Sequence, residues 1–95
     1  MNIGKIIKEL RLKNGMTQEE LSLRLGVTRP YIHMLEDGER NASPDLMDGM
    51  AIVFDIPVSI ISFMAMEEKD IPEKKREAFK KLKPSIDDMI DTILG

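Results

Sequence analysis

The residues able to do chemistry are gathered in one stretch, Thr17–Gly38, and what they offer is hydrogen bonding and charge rather than bond-breaking. Arg29 carries a guanidinium fork that fits the O6/N7 edge of guanine bidentately, which makes it the candidate for direct base readout. Beside it, Pro30 can give only an apolar contact, such as to a thymine methyl. Tyr31 can bond a phosphate through its hydroxyl or pack beneath the helix that follows. His33 is the only histidine and has no Cys or His companion for a metal, so it is a groove-edge or phosphate contact or a solvated side chain. Met34 shares that outer face. Thr17 and Gln18 stand at a helix amino end, where unpaired backbone N–H groups and the dipole favour an anion.

Catalysis is not expected from this content. There is no cysteine, the one histidine has no base-orienting partner, and no Gly-rich phosphate loop is present. Asp87, Asp88 and Asp91 lack the spacing of a calcium loop and read as a solvated helix face. No cofactor and no metal is implied.

Two short helices joined by a tight turn must hold the stretch in place. Leu21 and Leu25 put an apolar stripe on the first, and Val27, Ile32 and Leu35 put another on the second. Gly26 closes the first helix in a left-handed conformation without a Cβ clash. Ser22 is small where the second helix crosses. Thr17 with Glu20 makes a capping box, and Thr28 can cap the second helix. Pro30 falls in that helix's first turn, where its missing N–H has no intrahelical partner to lose.

Taken together these residues resemble the Cro/lambda-repressor-like (XRE-type) helix-turn-helix DNA-binding family, whose motif reads T-Q-x-x-L-x-x-x-x-G-V-[ST]-x-x-x-I-x-x-[LIW]-E-x-G. Thr17, Gln18, Leu21, Gly26, Val27, Thr28, Ile32, Leu35, Glu36 and Gly38 match it, ten positions over 22 residues. The resemblance extends with lower specificity over residues 3–66. It implies an all-α fold, a compact five-helix DNA-binding domain over residues 1–66 with the motif at 17–38. It also implies that Gln18 grips a backbone phosphate and braces a base-reading side chain, and that Arg40 and Asn41 lie along the sugar–phosphate backbone. Arg11 is implied to pair with Glu36, as a fork on a partly buried carboxylate. Met34 stands where the family often has a polar reader, so fewer hydrogen-bonded bases per half-site are expected.

The other helices follow from the pattern. The first is expected from about Asn2 to Lys13 with Ile3, Ile7 and Leu10 inward. The fourth opens with Ser43 as cap, Pro44 and Asp45, and Leu46, Met50 and Phe54 share its buried face. After a break at Asp55–Pro57, the fifth reads VSIISFMAM and carries more apolar surface than one core-facing stripe needs. Residues 67–95 lie outside the resemblance. A polar hinge (67–71) precedes a helix opened by Pro72 and a second opened by Pro84, the latter with Ile86, Met89, Ile90, Ile93 and Leu94 as an amphipathic stripe. This two-helix C-terminal extension is expected to serve dimerisation or packing. Ile60, Phe63 and Met64 on the fifth helix, with Phe79, Ile86, Met89, Ile90 and Ile93 in the extension, are the dimer or interface candidates.

Net charge is −3 and the pI about 5.1, not the global basic signature of a nucleic-acid binder. Residues 1–41 hold seven basic and six acidic residues, and residues 42–66 only Asp45, Asp48 and Asp55. A DNA-facing surface is therefore a local patch, with salt-sensitive non-specific binding. No apolar signal region opens the chain and no run is long enough for a bilayer, so a cytoplasmic protein without membrane contact is expected. The resemblance implies a sequence-specific, double-stranded DNA-binding transcriptional regulator. It would act as a homodimeric repressor with residues 28–36 in the major groove. The alternative is a protein-interaction module, antitoxin-like or a partner-binding regulator, in which DNA contact is secondary.

Overall fold

Local signals start and stop the first five helices close to where the sequence places them. The computed structural model describes residues 1–94, and among them it contains helices and turns but no strand. α1 (Ile3–Lys13) is capped by Asn2, whose side chain accepts from the Lys5 N–H, and closes as the Asn14 amide donates to the Leu10 carbonyl at 2.7 Å. α2 (Gln18–Leu25) opens on the reciprocal Thr17–Glu20 capping box and ends at Gly26 with φ +70°. There the Val27 N–H reaches back to the Ser22 carbonyl at 3.0 Å. α3 (Arg29–Glu36) is capped by Thr28 and carries Pro30 in its first turn. α4 (Pro44–Phe54) starts under Ser43, and α5 (Val58–Ala65) follows a left-handed Asp55 at φ 56°.

The five helices bury one core, formed around Ile7, Leu21, Ile32, Leu35, Met50 and Ile61. α1 packs on α3 and α5, α2 on α3 and α4, and α4 on α5. The Asn2 N–H donates to the Ala65 carbonyl at 2.7 Å, tying the two ends of residues 2–65 together. On α1 the inward residues are Ile6, Ile7 and Leu10, while Ile3, expected in that stripe, is only half-buried. Ser22 is buried with its hydroxyl donating to the Glu19 carbonyl, so the close crossing costs no unsatisfied polar group.

Gly4 sets the tightest approach. A Cβ there would collide with the Leu35 carbonyl oxygen and lie 3.0 Å from that of Glu36. The bare backbone of α1 is what lets the end of α3 come so close.

Met1 and residues 66–94 form a second unit. Its arrangement corrects the expected two helices. Single 3-10 turns at Glu68–Asp70 and Glu73–Lys75 precede one helix, α6 (Arg76–Leu94), which runs straight through Pro84. The expected final residue of the second helix, Gly95, lies outside the described residues. Proline costs an interior helix its own N–H bond and crowds the carbonyl four residues back. Two features oppose that break. The apolar spacing Phe79, Leu82, Ile86, Ile90 and Ile93 keeps one helical register across Pro84. The Lys83 ammonium also clamps both Asp87 carboxylate oxygens at 2.9 and 2.8 Å, one turn on.

Burial also re-sorts the interface candidates. Ile90 is only 8% exposed and so already covered within the chain. Ile60, Phe63, Met64, Phe79 and Ile86 are half-buried, and Met89 and Ile93 stand in solvent. Among the described residues no single helix is long and apolar enough to cross a membrane.

Candidate nucleic-acid interface

The outer face of α3 is presented by a polar anchor behind it. Arg11, from α1, donates through Nε to Glu36 Oε2 at 2.7 Å and through Nη2 to Oε1 at 3.0 Å. Its Nη1 donates to the Met16 carbonyl at 2.9 Å, fixing the chain just before α2. The side chains of Arg11 and Glu36 are 9% and 2% exposed, so this is a buried, bidentate pair rather than a surface one. Gln18, at the start of α2, donates through Nε2 to Glu36 Oε1 at 3.2 Å. A carboxylate can only accept, so Gln18 turns its amide nitrogen inward and leaves its carbonyl oxygen for other partners. One buried carboxylate thus joins α1, α2 and α3.

Across this anchor Gln18, Arg29, Pro30 and His33 line a hollow of about 290 Å³ on the surface. The amino end of α2 and the first turns of α3 build it together. Arg29, Pro30 and His33 are exposed. The His33 ring sits 3.0 Å from an Asp37 carboxylate oxygen, one turn further along the helix. Met34 is half-buried, less open than an outer-face position suggests, and its carbonyl accepts from the Glu39 and Arg40 N–H groups at 2.9 and 3.3 Å. Those bonds fold the loop after Gly38 back against α3 and carry Arg40 and Asn41 outward as exposed side chains.

The other motif residues go elsewhere. Tyr31 is half-buried and lines a separate hollow of about 500 Å³ with Leu25, Val27, Thr28, Ser43 and Leu46. This sets it beside the start of α4. Thr17 and Thr28 spend their hydroxyls on the Glu20 and Tyr31 N–H groups, although both remain exposed and can accept or donate further.

Three features of the site escape a reading of the residues in order. The i, i+4 spacing of His33 and Asp37 is a pairing signal that could have found their contact. The Gln18–Glu36 bond spans 18 residues, and no local pattern announces it. Gly4 is ordinary in sequence and decisive in space.

Comparison with known proteins gives a consistent picture. A family model described as helix-turn-helix matches residues 7–61. The chain is similar to an uncharacterized HTH-type transcriptional regulator of Archaeoglobus fulgidus, 42% identical over 69 residues that cover 73% of this chain and 94% of the relative. It is also similar to a competence pilus inhibition repressor of Acinetobacter baylyi, 32% identical over 68% of this chain and 59% of that protein. An immunity repressor protein of Bacillus phage phi105 is 28% identical over 90% of this chain and 67% of its own length.

Proposed function

The chain belongs to the XRE-type helix-turn-helix family, and from that membership we propose that it is a DNA-binding transcriptional repressor acting as a homodimer on double-stranded operators. Residues 1–66 bind the duplex, and residues 67–95 serve the pairing of two chains. α3 enters the major groove. Arg29 takes a guanine edge, Pro30 lies against a thymine methyl, and His33 and Met34 meet the groove wall. Gln18, Thr17 and Thr28 hold one stretch of phosphates, with Arg40 and Asn41 on the adjoining backbone and Tyr31 supporting the turn.

The observation that carries this reading is the hollow shared by Gln18, Arg29, Pro30 and His33, braced from behind by the Arg11–Glu36 pair. A phosphate-gripping residue and a base-reading residue on one rigid frame fix register and readout together. The Asp37 carboxylate, which would repel phosphates, is engaged with His33. Repression is favoured over activation because two relatives of differing origin are named repressors.

Selection of bound duplexes from a random pool at moderate salt, followed by sequencing, tests the reading. An enriched inverted repeat with half-site centres about one turn, roughly 34 Å, apart is expected. A bound pool no different from the input would overturn it.

A further inference from the structure

A 19-residue helix that keeps large apolar side chains in water is incomplete. On α6, Leu82, Met89 and Ile93 are 58%, 59% and 81% exposed. At 3.6 residues per turn they fall within about 40° of one another, with Ala78 beside them, along most of the roughly 28 Å of helix. Pro84 lies on the opposite face, away from this stripe. The charges are also polarised. Six basic residues run from Lys74 to Lys83, and only Asp87, Asp88 and Asp91 are charged after them. The helix macrodipole disfavours cations at the amino end and anions at the carboxyl end, so the pattern works against α6 as a lone helix.

We infer that the exposed stripe of α6 is covered by α6 of a second copy lying antiparallel to it about a two-fold axis near residues 85 and 86. Such an axis brings Leu82 against the partner's Met89 and Ile93 against the partner's Ala78. The basic half of each helix then faces the acidic half of the other, and the two macrodipoles oppose. Lys81 and Asp88 flank the stripe on one side, about 20° apart. Both are exposed, and neither has a salt-bridge partner among the described residues. An antiparallel two-fold keeps that flank on one side of both helices, so Lys81 meets the partner's Asp88 and Asp88 the partner's Lys81. An isologous contact needs this self-complementarity. A parallel pair would carry this flank to opposite sides of the two helices, and Lys81 and Asp88 would not meet across the contact.

The inference rests on the homodimer proposed above, and its test separates the two. The chain has no cysteine, so single cysteines can be placed freely. Full-length Leu82→Cys and Met89→Cys chains are oxidised separately and mixed, and the wild type and charge variants are examined by sedimentation equilibrium. A disulfide-linked dimer is expected only from the mixture. Lys81→Glu and Asp88→Lys should each raise the dimer dissociation constant about tenfold, with two like-charge contacts replacing two opposite ones. The doubly swapped chain should return to the wild-type value. Linked dimers from either cysteine chain alone would overturn the antiparallel arrangement. A wild-type dimer that ignores all four substitutions would overturn the α6 contact and leave the homodimer standing. A chain that stays monomeric while saturating its DNA would end both.

Discussion

Arg11 holds Glu36 through two parallel hydrogen bonds of 2.7 and 3.0 Å across 25 residues of sequence, with both side chains buried. Taking two charges out of water is expensive, and the geometry offsets the cost only while both remain. Arg11→Ala leaves a carboxylate with Gln18 as its one side-chain donor and should cost about 3–5 kcal/mol of folding free energy. Replacing both with Met removes the stranded charge and should cost less than Arg11→Ala alone. Urea unfolding of the three proteins decides it; a double variant weaker than the single one would mean that the pair is not an ion pair in energetic terms.

Two glycines inside helices should respond oppositely to the same change. Gly4→Ala drives a methyl into the Leu35 and Glu36 carbonyls, which are backbone and cannot rotate away. Overpacking of that kind costs about 1–3 kcal/mol, more than the roughly 1 kcal/mol that alanine gains in a helix interior. At Gly49 the nearest atom is Leu25 Cδ2 at 3.1 Å, the end of a half-buried side chain beside the open hollow. There the methyl can be accommodated, and Gly49→Ala should stabilise by about 0.5–1 kcal/mol. Thermal melting of both variants checks the pair of signs.

What could be read from the sequence divides by range. The Thr17–Glu20 box, the Thr28 and Ser43 caps and the left-handed Gly26 are consequences of neighbouring residues, and the helix starts follow from them. Arg11 and Glu36 come together only through the family motif, because nothing local links positions 25 residues apart. Pro84 reads locally as the start of a new helix, but the continuous apolar register and the Lys83–Asp87 clamp act over the turns on either side and carry the helix through it. Gly4 had no signal at all, since close backbone approach leaves no trace in a single sequence.

The Met1 ammonium gives the second unit a pH signature. Its hydrogen bond to Asp70, at 2.9 Å, and the nearby Glu67 carboxylate raise its pKa above the ordinary 8.0. The same bond, with the Glu67 N–H, holds Asp70 below its ordinary 3.8. The raised amine contributes fully below pH 8.0 and loses its contribution as pH climbs through its folded value. The depressed carboxylate contributes above pH 3.8 and loses it as pH falls through its folded value. The stability gap between wild type and Asp70→Asn should therefore be flat between these limits and shrink on both sides, as read from melting temperatures across pH. A gap that ignores pH would remove the ion pair from the account.

In the proposed DNA complex Arg29 and Arg40 divide readout from grip. Arg29 lines the hollow at the start of α3, whereas Arg40 is carried on the loop folded back to the Met34 carbonyl. A bidentate guanine contact discriminates one base, so Arg29→Ala should cost about 1–3 kcal/mol on the selected operator and relax preference at a single position per half-site. A phosphate contact carries no sequence information. Arg40→Ala should accordingly weaken every duplex about equally and lower the slope of log K against log salt by about 1 per chain. Titration of operator and scrambled duplexes at several salt concentrations measures both effects. Should Arg40→Ala alter base preference, or Arg29→Ala weaken all duplexes alike, the two roles assigned to these arginines would have to be exchanged.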